Sequence, residues 1–96
     1  HLSEDGIIIV TATVENGTGR VLAGPDLISR GFVYVKESDA LMNGARTLME
    51  TTMDRSLAED GCDWNTVKGR MREALSSYIY RKTKRSPMIL PILMEV

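Results

Sequence analysis

The sequence predicts an α+β fold in two layers: a three- to four-stranded mixed sheet with two antiparallel helices on one face. Three observations predict it. β-Branched apolar runs separated by glycine-rich turns fill the first third of the chain. From Ser38 the apolar spacing changes to three and four residues and stays so beyond Tyr78, and a proline-punctuated apolar run over residues 88–96 restores strand-like composition. Strands, then two helices joined by a short loop, then a strand pack most simply with the helix pair over one sheet face.

Ile7-Ile8-Ile9-Val10-Thr11-Ala12-Thr13-Val14 reads as the first strand, because β-branched residues suit a pleated surface. Glu15-Asn16-Gly17-Thr18-Gly19 tolerates positive φ and turns the chain into a return strand, Arg20-Val21-Leu22-Ala23. Gly24-Pro25-Asp26 then reads as a turn, since proline presets its φ, aspartate accepts nearby N–H groups and glycine permits unusual angles. Phe32-Val33-Tyr34-Val35 reads as a further strand, and Glu37-Ser38-Asp39 as a helix start.

In the first helix Leu41, Ala45, Leu48, Met49, Thr52 and Met53 form one face, with Arg46, Glu50 and Asp54 elsewhere. Gly44 costs this helix about 1 kcal/mol relative to alanine, which points to close backbone packing there. Gly61 marks a stop, and Asp63 is placed to cap a second helix with the stripe Trp64, Val67, Met71, Ala74, Leu75, Tyr78 and Ile79. Ser86-Pro87 favours extended backbone, and Pro91, which has no N–H to donate, places the last strand at an edge or an irregularity.

Ninety-six residues make one small domain with a single modest core. A formal charge of −1 leaves no global attraction to nucleic acid, so any RNA contact would come from a local patch. The one cysteine, Cys62, has no internal disulfide partner, and no apolar run reaches the roughly 18–20 residues of a membrane span. These features favour a reducing cytoplasm and no membrane partner. Residues 1–5 are read as a linker or cloning remnant outside the chemistry, and residues 6–96 as the domain.

The run from Gly24 through Arg30-Gly31-Phe32-Val33-Tyr34-Val35-Lys36-Glu37 to Ser38, and the ending Lys82-Thr83-Lys84-Arg85-Ser86-Pro87-Met88-Ile89-Leu90-Pro91-Ile92-Leu93-Met94-Glu95-Val96, closely resemble the C-terminal domain of bacterial ribonuclease J. Residues 7–14 fit that domain's opening strand. The resemblance implies a parent enzyme of RNA processing, rRNA processing and mRNA decay, acting as an endonuclease and as an exonuclease from the 5′ end. In the parent, zinc or manganese ions in an upstream metallo-β-lactamase and β-CASP core would activate water for attack on a phosphodiester. The implied role of the C-terminal domain is oligomerisation and support of full activity, with RNA reached through the parent.

The residues themselves raise two candidate sites. The first and last strands are apolar on both faces while two helices cover only one, so a homo-oligomer interface is expected, with Ile7, Ile9, Ile89 and Leu93 as contributors. Its competitor is a sheet wrapped by its own loops and helix edges. The second candidate is a basic patch for RNA, Arg30, Lys82, Lys84 and Arg85, against the plainer reading of solvated helix-end cations. A direct RNA-binding module or a scaffold for an RNA-decay assembly therefore stays open as the alternative function. Arg30-Gly31-Phe32-Val33-Tyr34-Val35 superficially matches an RNA-recognition box, but Val33 stands where that box has a small residue and the element order differs.

No catalytic, metal or cofactor site is expected within the chain. It offers one histidine and one cysteine, too few for a transition-metal cluster. Ser29 has no base beside it, and Asp60 and Asp63 would disfavour a Cys62 thiolate.

Overall fold

The structure, a computed structural model, describes residues 5–32, 38–59 and 63–96. Strands β1 (Ile7–Val14) and β2 (Val21–Arg30) are followed by helices α1 (Ser38–Leu57) and α2 (Trp64–Thr83) and by strand β3 (Met88–Glu95). The sheet is three-stranded in the order β2-β1-β3. Antiparallel β1–β2 pairing and parallel β1–β3 pairing make it mixed, as the sequence predicts.

The β1–β2 hairpin closes where expected: the Glu15 N–H donates to the Arg20 carbonyl at 2.8 Å, with Gly17 and Gly19 at positive φ. Beyond it the expected turn at Gly24-Pro25-Asp26 is instead part of β2, which runs unbroken to Arg30. The signals for a turn are absorbed as a bulge. Register shifts fall between Thr11 and Val14, Gly24 has φ +88°, and the Gly24–Pro25 peptide is cis. An edge strand tolerates this because its outer side has no ladder partner to lose. A side chain at Gly24 would also come within 2.7 Å of the Thr11 carbonyl. Phe32 lies outside a strand, half-buried against the core, while residues 33–35 of the expected third strand are outside the described residues, as are Gly61 and Cys62.

The crossover from β1 to its parallel neighbour β3 runs through the helix pair, which packs on one face only. Alternation in β1 decides which face. Ile8, Val10, Ala12 and Val14 are buried, together with Leu41, Ala45, Met49 and Met53 of α1 and Val67, Met71, Leu75 and Ile79 of α2. Each fully buried valine, leucine, isoleucine or methionine side chain of this set contributes about 1.5–3 kcal/mol relative to an exposed one.

Contacts at both ends show the helices to be antiparallel. Near the start of α1 and the end of α2, the Tyr78 hydroxyl donates to the Leu41 carbonyl at 3.3 Å and lies so close to Gly44 that any Cβ there would collide with it. The expected close packing at Gly44 is thus real. At the other end Arg70 pairs with Glu59 and donates to the Ser56 hydroxyl at 3.4 Å, and the Arg70 hydrogen bond and charge hold the Glu59 carboxyl below the usual range. Asp63 caps α2 by accepting from the Thr66 N–H at 2.8 Å, which lowers its pKa as well. Lys84 ends the helix in the left-handed region, its N–H returning to the Tyr80 carbonyl.

Candidate interaction surface

Among the described residues, no helix packs on the other face of the sheet. Its residues follow from register, because directly opposed positions share a face. Ile7, Ile9, Thr11 and Thr13 of β1 alternate with the buried set. Ile7 lies between Arg30 and Met88, Ile9 between Ile28 and Leu90, and Thr11 between Asp26 and Ile92. Met94, opposite Thr13, prolongs the row along β3. Ile28, Met88, Leu90, Ile92 and Met94 are 38–55% exposed, an unusual density of large apolar side chains in contact with water.

The expected interface residues divide. Ile7 and Ile9 lie half-buried on this uncovered face. Ile89 and Leu93 lie on the opposite one: Ile89, opposite Ile8, is 7% exposed, and Leu93, opposite Ala12, is half-buried against the core. For these two the structure corrects the direction. In a strand apolar on both faces alternation separates two sets without saying which is inside, and a one-residue change of register exchanges them. Here the parallel pairing with β1 decides. Met88, Leu90, Ile92 and Met94 form the outer set, and Ile28, hidden behind an apparent turn, belongs to it.

The sheet is framed by proline on both edges. Pro25 in β2 and Pro91 in β3 are both buried, and each removes an N–H from the strand that carries it. The broad apolar face is therefore a better place for contact than the edges.

The basic candidates gather at one end of the domain, where β1 and β3 begin and β2 and α2 finish. All four are exposed, and each has a partner within the chain. Lys82 Nζ sits 5.9 Å from the Tyr78 ring centroid and Lys84 Nζ 5.2 Å from that of Tyr80. Arg85 pairs with Asp5 at 3.7 Å, and Arg30 donates to the Ser29 carbonyl at 3.1 Å. Asp5, set aside in the sequence reading, also accepts from the Ser86 N–H at 2.7 Å and so ties the chain before β1 to the approach to β3. That contact spans nearly the whole chain and has no local sequence signal.

Two concavities are lined by described residues. One, of about 160 Å³ between β2 and α1, is lined by Val21, Gly24, Pro25, Glu50, Met53 and Asp54. The other, a wide depression of about 550 Å³, is lined by Arg72, Glu73, Ser76, Ser77, Tyr80 and Ser86. Neither is lined by a histidine or a cysteine among the described residues. Among the described residues no group of three or more histidine, cysteine, aspartate or glutamate side chains could hold a metal ion, and no helix is long and apolar enough to cross a membrane.

Fold and surface together define a class: a small two-layer α+β domain with one bare apolar sheet face. Within that class the chain belongs to the ribonuclease J C-terminal domain family, whose model matches residues 1–96. It is 44% identical over 95 residues to ribonuclease J2 of Bacillus subtilis, covering 99% of this chain. Over the same length and share it is 43% identical to ribonuclease J 2 of Streptococcus pyogenes and 41% identical to that of Staphylococcus saprophyticus. The chain spans 17% of the length of each of these relatives.

Proposed function

We propose that this chain is the non-catalytic C-terminal domain of a ribonuclease J-type nuclease, serving self-association and through it the full activity of the parent. The observation that supports this reading is the bare sheet face, where Ile7, Ile9, Ile28, Met88, Leu90, Ile92 and Met94 lie side by side with no helix of the described residues above them. A standard interface takes about 800 Å² from each partner, and a row of neighbouring aliphatic side chains supplies the apolar centre of one. In this reading phosphodiester hydrolysis, exonucleolytic from the 5′ end and endonucleolytic, belongs to an upstream metallo-β-lactamase and β-CASP core holding zinc or manganese in the cytoplasm. RNA processing and mRNA decay are the parent's tasks.

Sedimentation of the 96-residue chain over a wide concentration range tests the role. The expected result is a concentration-dependent oligomer that Leu90→Asp dissociates while circular dichroism stays unchanged. A chain that stays monomeric at millimolar concentration overturns self-association.

A second reading, direct contact with RNA or with other members of an RNA-decay assembly, draws on the exposed cations Arg30, Lys82, Lys84 and Arg85 at one end of the domain. Their partners within the chain and the formal charge of −1 make such binding weak and salt-sensitive. Replacing Lys82, Lys84 and Arg85 by alanine is expected to abolish most of any RNA binding. Tight binding indifferent to those changes would favour an RNA module of another kind.

A further inference from the structure

The bare face carries an ordered charge pattern as well as an apolar row. On β2 the outward residues are Asp26, Ile28 and Arg30 in succession, all exposed, opposite Thr11, Ile9 and Ile7 of β1. Asp26 and Arg30 each lie roughly 7 Å from Ile28 along the strand, one on either side. Acid, isoleucine and base in that order match their own reverse: turned end for end, the row presents a base to every acid.

Two aligned ways exist of stacking this face on a second copy about a two-fold axis. If the axis runs along the strands, β2 of one copy crosses over β3 of the other at the same level. Asp26 then meets Ile92 and Arg30 meets Met88, which strips water from two charges in each copy with no compensation. If the axis instead runs across the strands through the row Ile28, Ile9 and Leu90, each strand lies antiparallel over its own counterpart. Ile28, Ile9 and Leu90 then meet themselves, Met88 meets Ile92, and Asp26 of each copy faces Arg30 of the other. Sheet layers pack about 10 Å apart, a gap that an arginine and an aspartate side chain together can bridge.

We infer that the domain pairs with a second copy of itself face to face, its strands antiparallel across the two-fold axis, with Asp26 and Arg30 forming two reciprocal ion pairs that set the register. The inference rests on the self-association reading above and adds the axis, the register and the residues that choose them. It also assigns Arg30 to protein contact in place of RNA.

Charge exchange tests it, with sedimentation of the 96-residue chain at low ionic strength as the readout. Asp26→Arg alone sets two arginines against each other at both pairs, and Arg30→Asp alone sets two aspartates. Each variant is expected to self-associate about tenfold or more weakly than the unmodified chain. An equimolar mixture of the two makes both pairs opposite in charge, so heterodimers are expected at close to the original affinity. The doubly exchanged chain, D26R with R30D, is expected to recover homodimers. Recovery in the mixture also shows that each single variant is folded. An unmodified chain that associates while the single variants do so equally well, or variants weakened with no recovery on mixing, overturns this register and leaves self-association standing. An unmodified chain that never associates overturns both.

Discussion

The two faces of the sheet are built from the same three strands and from similar side chains, yet they differ almost completely in their relation to water. On one face Ile8, Val10, Val14 and Ile89 are sealed under two helices; on the other Ile28, Leu90 and Met94 are 42–55% exposed. Neighbours along a strand thus have opposite surroundings: Ile89 is buried, while Met88 and Leu90 beside it are not. Hydrophobicity of a residue type therefore does not identify the core of this domain. The helices do, and what they leave uncovered becomes the candidate contact surface.

The sharpest way to break this contrast is to place the same charge on both sides. Ile8→Asp buries a carboxylate with no partner and is expected to cost more than about 4 kcal/mol, leaving the chain unfolded or molten in thermal and denaturant melts. Leu90→Asp, on the other face of the neighbouring strand, is expected to change the stability of the monomer by no more than about 0.5–1 kcal/mol. Equal destabilisation by the two would mean that the faces are not distinct.

A smaller effect probes how tightly the covering layer is assembled. Gly44→Ala should gain about 1 kcal/mol of helix propensity, but its methyl would collide with the Tyr78 hydroxyl, so a net loss of about 1–3 kcal/mol is expected. Tyr78→Phe removes the colliding atom. In the double variant the loss should shrink well below the sum of the two single changes, an interaction that a double-mutant cycle measures directly.

The smallest effect concerns the cap of the second covering helix. Asp63→Ala is expected to lower the melting temperature by a few degrees. Because the Thr66 hydrogen bonds depress the folded-state pKa of Asp63, its contribution is present in full above the ordinary aspartate value of about 3.9. It is lost as pH falls through that value toward the lower folded one. The melting-temperature difference between the unmodified chain and Asp63→Ala should therefore be constant near neutral pH and close in acid, while Asp63→Asn should retain a cap without that titration. A difference that persists unchanged at pH 2 would show that the carboxylate's charge is not what the cap uses.

Much of the fold was legible in local sequence signals. The apolar stripes of both helices, the Asp63 cap, the hairpin at Asn16 to Gly19 and the extended residues after Pro87 all depend on neighbours within about one turn of chain, where spacing and backbone preference act directly. Gly44 likewise announced a close approach by costing its own helix. The family was legible too, from two long segments in the right order, and the match over residues 1–96 agrees with it.

Tertiary structure decided the rest. Gly24-Pro25-Asp26 carries every sign of a turn, and only its position on an outer strand lets the chain absorb those residues as a bulge and carry β2 on to Arg30. The orientation of the last strand was undetermined for a similar reason. Met88 to Met94 is apolar at nearly every position, so alternation defines two sets without assigning either to the core. That assignment came from residues some eighty positions earlier, through the pairing of Ile8 with Ile89. Sequence by itself determined that these strands have more apolar surface than two helices can cover. Which half of that surface remains bare, and the alignment of Asp26, Ile28 and Arg30 along its edge, exists only once long-range strand register is set, because register is a property of paired chains and not of a single stretch.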